Sequence, residues 1–410
     1  MTPSSSSATS EAATRRSILL LSFATFSSMA SQRVCDAMLP ELSRVFAVGL
    51  SQAAQVVSVF AIVYGGLQLF YGPLGDRLGK FRVIAWATLA CSVGNAMAVF
   101  APSLDMLLLS RVVVAMGAAA IIPLGLAWVG DVADPAHLQE TIARVGLGTT
   151  LGIGSGQLVG GLLTDTLGWR WAFGVLAVLF FGVGGLLLRD LGRQQAAEAI
   201  RAGTAAVAPA PARRGFAGQV LSILAQPWPR TILAVGVVEG AAGFGVLAIW
   251  ATHLYQAFAY SLSAAGAIVA LFGAGGVVYM AIARHLIRRL RPARLAVVGA
   301  SLVFLASVVV GFTPYRWLAI PASLVAGFGF FSFHNVMQAN AAQMAPAARG
   351  TAVSLFAASL FLGQSVGVLL AASLSERIGA GSVITLGGAT LCALGVWFGR
   401  ALRERDSTRA

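Results

Sequence analysis

Twelve stretches of about twenty predominantly apolar residues recur along the chain, and a helix of that length spans a hydrocarbon core of about 30 Å. They fall near 17–38, 51–71, 83–101, 107–130, 145–164 and 170–188. After a polar break they resume near 230–253, 263–284, 294–312, 317–343, 350–373 and 381–400. Lipid offers backbone N–H and C=O groups no partner, so such segments must be helices or strands of a closed barrel. Barrel strands read as alternating stretches of roughly ten residues, and the runs here are continuous. Composition agrees: 58% of residues are hydrophobic and only 10% charged, far from a soluble chain. The expected fold is all-α and integral to the membrane, with twelve transmembrane helices in two pseudo-symmetric six-helix bundles.

Charge gives the orientation. Of 28 Lys and Arg, only Arg33, Arg44, Arg111, Arg170, Arg316 and Arg377 lie away from one set of loops, leaving 22 on the side of both termini. The positive-inside rule makes that side cytoplasmic. Residues 1–16 are expected to be a disordered cytoplasmic tail and 17–189 an N-terminal six-helix bundle whose first run is retained rather than cleaved. Residues 190–229, with the Ala/Pro stretch Ala205–Pro211, form a cytoplasmic linker. A C-terminal six-helix bundle occupies 230–400 and a cytoplasmic tail 401–410. The halves share a repeat: Gly156-Gln157-Leu158-Val159-Gly160 reappears as Gly363-Gln364-Ser365-Val366-Gly367, offset by 207 residues. The same offset lays Arg77–Arg82 on Arg284–Arg289, and repeated halves around a midplane site characterise many secondary transporters.

The net charge of +13 has no basic surface with interleaved aromatics behind it, so nucleic acid is not an expected partner. Cys35, Cys91 and Cys392 show no metal or disulfide spacing. HExxH and GxxxxGK[ST] motifs are missing from the sequence. No enzyme activity, cofactor or metal is expected.

Between the second and third spans stands Gly72-Pro73-Leu74-Gly75-Asp76-Arg77-Leu78-Gly79-Lys80-Phe81-Arg82. This segment resembles the GxLxDRxGRR-type signature of the major facilitator superfamily, sited on a cytoplasmic loop. The resemblance implies a gating loop in which Gly72, Gly75 and Gly79 permit a tight turn while Asp76, Arg77, Lys80 and Arg82 exchange ion pairs as the halves rock. Three further segments extend it. Gly168 to Phe173 is similar to the turn before the family's sixth helix, and Arg111 to Ala119 to its fourth-helix motif. Cys35-Asp36-Ala37-Met38-Leu39-Pro40 is similar to the first-helix end of twelve-helix drug–proton antiporters. One departure is plain: the antiporter signature of the fifth helix reads Gly-Pro where this chain has Gly156-Gln157. Gly148, Gly152, Gly156 and Gly160 also form a stripe along that span, a surface for close helix approach.

Ionisable side chains inside apolar spans are costly and mark functional positions. Asp36 and Arg111 lie at similar depth in the first half and are expected to pair, with Arg33, one turn from Asp36, as a second candidate partner. Glu239 lies nine residues beyond Arg230, about 14 Å into the seventh span, and His334 is about 16 Å deep in the tenth. Contact between them would let the pair carry a proton. Asn335 and Gln338 add amides to the same span, and the six residues Asp36, Arg111, Glu239, His334, Asn335 and Gln338 form the expected coupling and substrate cavity.

The expected function is proton-coupled export of a small organic compound or drug by alternating access, performed by a monomer in the cell inner membrane. Its partners would be the substrate, protons and the lipid bilayer. Uptake or facilitated diffusion of a sugar, amino acid or related metabolite is the alternative, and a non-transporting receptor or channel a remote one.

Overall fold

The computed structural model describes residues 5–133, 138–201 and 216–407, and among them every regular element is helical. The first six long helices are α1 (Ser5–Arg33), α2 (Gln55–Leu78), α3 (Lys80–Val99), α4 (Leu104–Val132), α5 (Leu138–Thr166) and α6 (Trp169–Arg201). The second six are α7 (Pro227–Phe258), α8 (Leu262–Arg289), α9 (Pro292–Phe312), α10 (Ala319–Gln343), α11 (Arg349–Ile378) and α12 (Ala380–Ser407). Ten are long and apolar enough to cross a membrane. The two outside that group are α1 and α5, where Ser22, Thr25, Ser27, Ser28, Ser31 and Gln32, and Thr149, Thr150, Ser155 and Gln157, dilute the apolar run. These two helices pack on each other, so their polar atoms face protein rather than lipid.

The glycine stripe explains why they meet so closely. A Cβ on Gly148, Gly152, Gly156 or Gly160 would collide with the carbonyl oxygen of Ser22, Phe26, Ala30 or Val34 in turn. Four successive turns of α5 therefore rest on the backbone of α1, the small-residue packing that helices use where no hydrophobic force separates protein from lipid. The duplication carries the seam across: adding 207 turns Gly156 on Ala30 into Gly363 on Val237, and Gly160 on Val34 into Gly367 on Ala241, and both contacts exist between α11 and α7.

Each half also breaks its first helix at the same place. α1 ends at Arg33, where turns carry the chain through Asp36 and Met38, with Asp36 N bonded to Arg33 O at 3.2 Å and Met38 N to Cys35 O at 3.2 Å. A short helix, Leu39–Val45, follows. In α7 the corresponding break is a π-turn over Gly240–Gly245, beginning one residue after Glu239. At Gly240 any side chain would strike the Leu360 carbonyl of α11.

Several expected boundaries need correction. Residues 5–16, expected as a disordered tail, lie within α1, and Arg16 and Ser17 both reach the buried carboxylate of Asp190. The linker expected to begin at residue 190 begins later, because α6 continues to Arg201. Helix Phe216–Leu224 then packs on α11, where Thr351 Oγ1 donates to Gln219 Oε1 at 2.6 Å. The Ala205–Pro211 stretch lies outside the described residues. The expected gating loop shrinks to a single residue, since α2 runs to Leu78 and α3 starts at Lys80, with Gly79 at φ +89°.

The seam gives a direct test. Gly156→Leu should destabilise the fold by about 1–3 kcal/mol or more, the cost of overpacking, and reduce monodisperse yield in size-exclusion chromatography. Gly146→Leu, on the same helix but with open space beside it, should leave yield and melting temperature near those of the parent protein.

Candidate functional site

The helix break places Asp36 and Arg33 in the core of the molecule, both fully buried. Arg33 Nη1 donates to Asp36 Oδ2 at 3.1 Å, and Gln157 Nε2 of α5 donates to the same oxygen at 2.8 Å. The expected pairing of Asp36 with Arg111 is therefore corrected. Arg111 Nε donates to the Val56 carbonyl at 3.3 Å and its guanidinium lies 4.3 Å from the centroid of Phe60. The nearer arginine prevails because the turns at 34–38 fold Asp36 back over the end of its own helix. Gln157, which stands where the resembling antiporters have proline, has a physical task in orienting that carboxylate.

In the second half, His334 Nδ1 and Glu239 Oε1 are 2.7 Å apart, so the two groups judged from depth alone do meet. Whichever holds the proton, one hydrogen bond joins them. Glu239 is fully buried and its Oε2 has no protein partner. Phenylalanines surround the imidazole: Phe330 stacks on it at 5.7 Å and 11°, Phe356 lies at 6.0 Å, and Phe244 and Phe331 meet it edge-on at 6.4 and 6.5 Å. Burial of polar groups is expensive unless they are hydrogen-bonded, and this pair is enclosed by apolar rings.

Phe244, a residue of the π-turn, joins the two pairs. Its carbonyl accepts from Arg33 Nη1 at 3.2 Å, its ring lies 4.4 Å from the Arg33 guanidinium, and the same ring abuts Phe330 at 4.6 Å. An unbroken chain of contact thus runs from Asp36 through Arg33 and Phe244 to His334 and Glu239, crossing from one half to the other. Sequence reading missed Phe244, Phe330 and Phe356. A glycine-rich stretch directly after a buried glutamate was the available signal, because π-turns favour functional sites.

Other expected members separate. Gln338 lies one turn from His334 on the same face and is exposed. Asn335 leaves this site and lines a different cavity with Asn340, Gln343 and Arg405. In the gating segment, Lys80 Nζ is 2.6 Å from Asp131 Oδ2 and 3.7 Å from Asp76 Oδ1. Asp131, on α4, was not anticipated. Gly75 packs under Leu124, Gly72 has open space, and Arg77 and Arg82 are exposed. These ion pairs stay within the first half.

Contacts between the halves run from mid-depth to the end opposite the arginine-rich loops. Along α2 and α11, Gly65 abuts Phe361, Ser58 Oγ bonds Ser365 at 2.8 Å, and Ser51 N donates to Glu376 Oε1 at 3.0 Å. Along α5 and α8, Gly154 abuts Ala270, and Asp165 accepts from Leu262 N at 3.3 Å and Ser263 N at 2.6 Å. Gln32 Nε2 donates to Gln364 Oε1 at 3.1 Å between them.

A family model described as Major Facilitator Superfamily matches residues 21–368. Riboflavin transporter RibZ of Clostridioides difficile (strain 630) is 28% identical over 175 residues, covering 40% of this chain and 38% of that protein. A multidrug resistance protein B homolog of Mycobacterium tuberculosis (strain ATCC 25618 / H37Rv) is 33% identical over 117 residues, 28% of this chain and 21% of that protein. In each case the matched segment is well under half of the relative's own length. Among solved structures, nucleoside transporter NupG superposes with TM-score 0.75 at 13% identity, covering 94% of this chain and 99% of that chain. A bacterial homolog to human lysosomal transporter Spinster, inward-facing and occupied, gives 0.73 at 17% identity, covering 95% and 96%. At these identities the likeness is one of fold.

A double-mutant cycle checks the pairing. Asp36→Asn combined with Arg33→Gln should show a coupling energy of about 0.5–3 kcal/mol in unfolding experiments, and Asp36→Asn combined with Arg111→Gln, which share no hydrogen bond, a smaller one.

Proposed function

Because the chain belongs to the major facilitator superfamily, we propose that this membrane transporter exports a small organic compound in exchange for protons by alternating access. The observation that carries the reading is the contact of two buried acid–base pairs, one from each half, on Phe244. A change of protonation in either pair alters the charge that the other feels through a few ångströms of low-dielectric protein. It also alters the hold of Arg33 on the Phe244 carbonyl, which ties the halves together.

In this reading Asp36 and Glu239 exchange the protons. Arg33 and His334 hold the acids while charged, Gln338 faces the substrate pathway, and Arg111 stays buried against Phe60 as a fixed positive charge in the first half. With the arginine-rich loops and both termini in the cytoplasm of an inner membrane, the joined seams close the outer side and leave the cytoplasmic side to receive substrate. Protonation of Asp36 removes the charge that Arg33 balances, loosens the grip on Phe244 and favours separation of the outer ends. Gly72, Gly75, Gly79 and the Lys80 pairs with Asp76 and Asp131 then act as the cytoplasmic hinge, together with Arg77 and Arg82. One chain supplies both halves of the site, so a monomer suffices.

The name of the Mycobacterium tuberculosis relative favours export. Gln157 in place of proline favours the second reading, uptake or facilitated diffusion of a metabolite, and one relative is named a riboflavin transporter.

Proteoliposomes decide. A substrate is first found by its stabilisation of the purified protein, since a ligand of the folded state raises its melting temperature. Its flux should then follow an imposed pH gradient and fall at least about tenfold in Asp36→Asn and in Glu239→Gln, a barrier change of about 1.4 kcal/mol. Flux indifferent to the gradient in the parent protein would remove proton coupling, and its direction in cells separates export from uptake.

A further inference from the structure

We propose that the second half carries, at its arginine-rich end, a site for the phosphate group of an anionic membrane lipid, with Arg405, Asn335 and Gln343 as its polar contacts. A cavity of about 210 Å³ opens there between the ends of α8, α9, α10 and α12. One wall is apolar, formed by Ile287, Leu290 and Leu402, and the other presents Asn335, Asn340, Gln343 and Arg405. The polar wall is held in place by its own contacts. Asn340 Nδ2 donates to the Val336 carbonyl at 2.9 Å, Asn340 Oδ1 accepts from Arg405 Nη1 at 3.5 Å, and the Arg405 guanidinium lies 4.4 Å from the Trp228 ring centroid.

Charge in the segments that form this end is mainly positive. Residues 284–294 and 400–406 hold eight arginines against two acids, Glu404 and Asp406, and Arg405 is the arginine that lines the cavity. Guanidinium and amide N–H groups are strong phosphate donors, and basic pockets between helices at the cytoplasmic face suit anionic headgroups. The apolar wall selects the lipid over a free anion. Ile287 lines the cavity and is 46% exposed at the surface of the bundle, so the glycerol and first methylenes of a lipid have a surface to cover, whereas inorganic phosphate would use the polar wall alone. Asn335 follows His334 in sequence but turns to this cavity instead of the Glu239 pair, so the two sites occupy different sides of α10. The inference holds whatever the transporter carries.

The test uses the full chain, purified and delipidated in detergent, and titrated separately with dioleoylphosphatidylglycerol, dioleoylphosphatidylcholine and inorganic phosphate. Thermal unfolding and native mass spectrometry are the readouts. Phosphatidylglycerol should raise the melting temperature saturably and leave a retained lipid, while phosphatidylcholine and phosphate do neither. Arg405→Gln, and separately the double variant Asn335→Ala/Gln343→Ala, should weaken the apparent affinity at least about tenfold, roughly 1.4 kcal/mol. Arg316→Gln, at the opposite end, should leave it unchanged. Equal shifts with the two lipids would overturn the site. A phosphate shift matching that of the lipid would assign it to a soluble anion and overturn the lipid claim. Undiminished binding in the double variant would overturn the proposed contacts even if Arg405→Gln fails to fold.

Discussion

Inside hydrocarbon a helix cannot stop without leaving backbone N–H and C=O groups that no solvent will take, and this chain interrupts two of its helices at the same point in each repeat. The interruptions are survivable because both are walled in by protein. The break after Arg33 is covered by α5, whose glycines bring its backbone onto α1, and the break after Glu239 is covered by α11 in the same manner. Close helix approach is thus the condition for broken helices, and broken helices are the condition for the charged groups. A carbonyl at the second break, that of Phe244, takes the hydrogen bond of Arg33. Buried charge and irregular backbone satisfy one another across the boundary between the halves.

The two halves use this shared plan differently. In the first, acid and base lie three residues apart at one break, and a glutamine from α5 completes the acid's coordination. In the second, the acid sits on α7 and its partner is brought by α10 within a ring of phenylalanines. Gln157 and Gln364 occupy equivalent places on α5 and α11, yet one bonds Asp36 in the turns after α1 and the other Gln32 at its end. Duplication has preserved the backbone while the side chains at its centre have diverged.

Much of the fold was legible in sequence because its signals are long-range and redundant. Twelve apolar runs, a repeat at offset 207 and a glycine every four residues each constrain many atoms at once. The Glu239–His334 contact was legible for a related reason, since depth along a straight helix follows from residue counting. What failed depended on where helices cease to be straight. Depth alone pairs Asp36 with Arg111 and leaves Arg33, one turn away, as the second candidate, and it is Arg33 that the carboxylate meets. Asn335 joins His334 in the sequence reading as an amide of the same span, although successive helical residues point about 100° apart. Residues 5–16 read as a tail from their Ser/Ala composition, which carries no record of the carboxylate of Asp190 waiting on α6.

The acids at the far end of the seams have a consequence for how the contact between the halves can vary. Asp165 accepts from two main-chain N–H groups on the facing half and Glu376 from one, and a charged acceptor makes the stronger kind of hydrogen bond. A main-chain donor survives replacement of its own side chain by anything except proline. Drift at Leu262 or Ser263 therefore leaves the fastening intact, whereas a single change at Asp165 removes it. Each contact thus depends on the side chain of one partner only, so the sequence at the facing helix ends can vary while two carboxylates hold the seam.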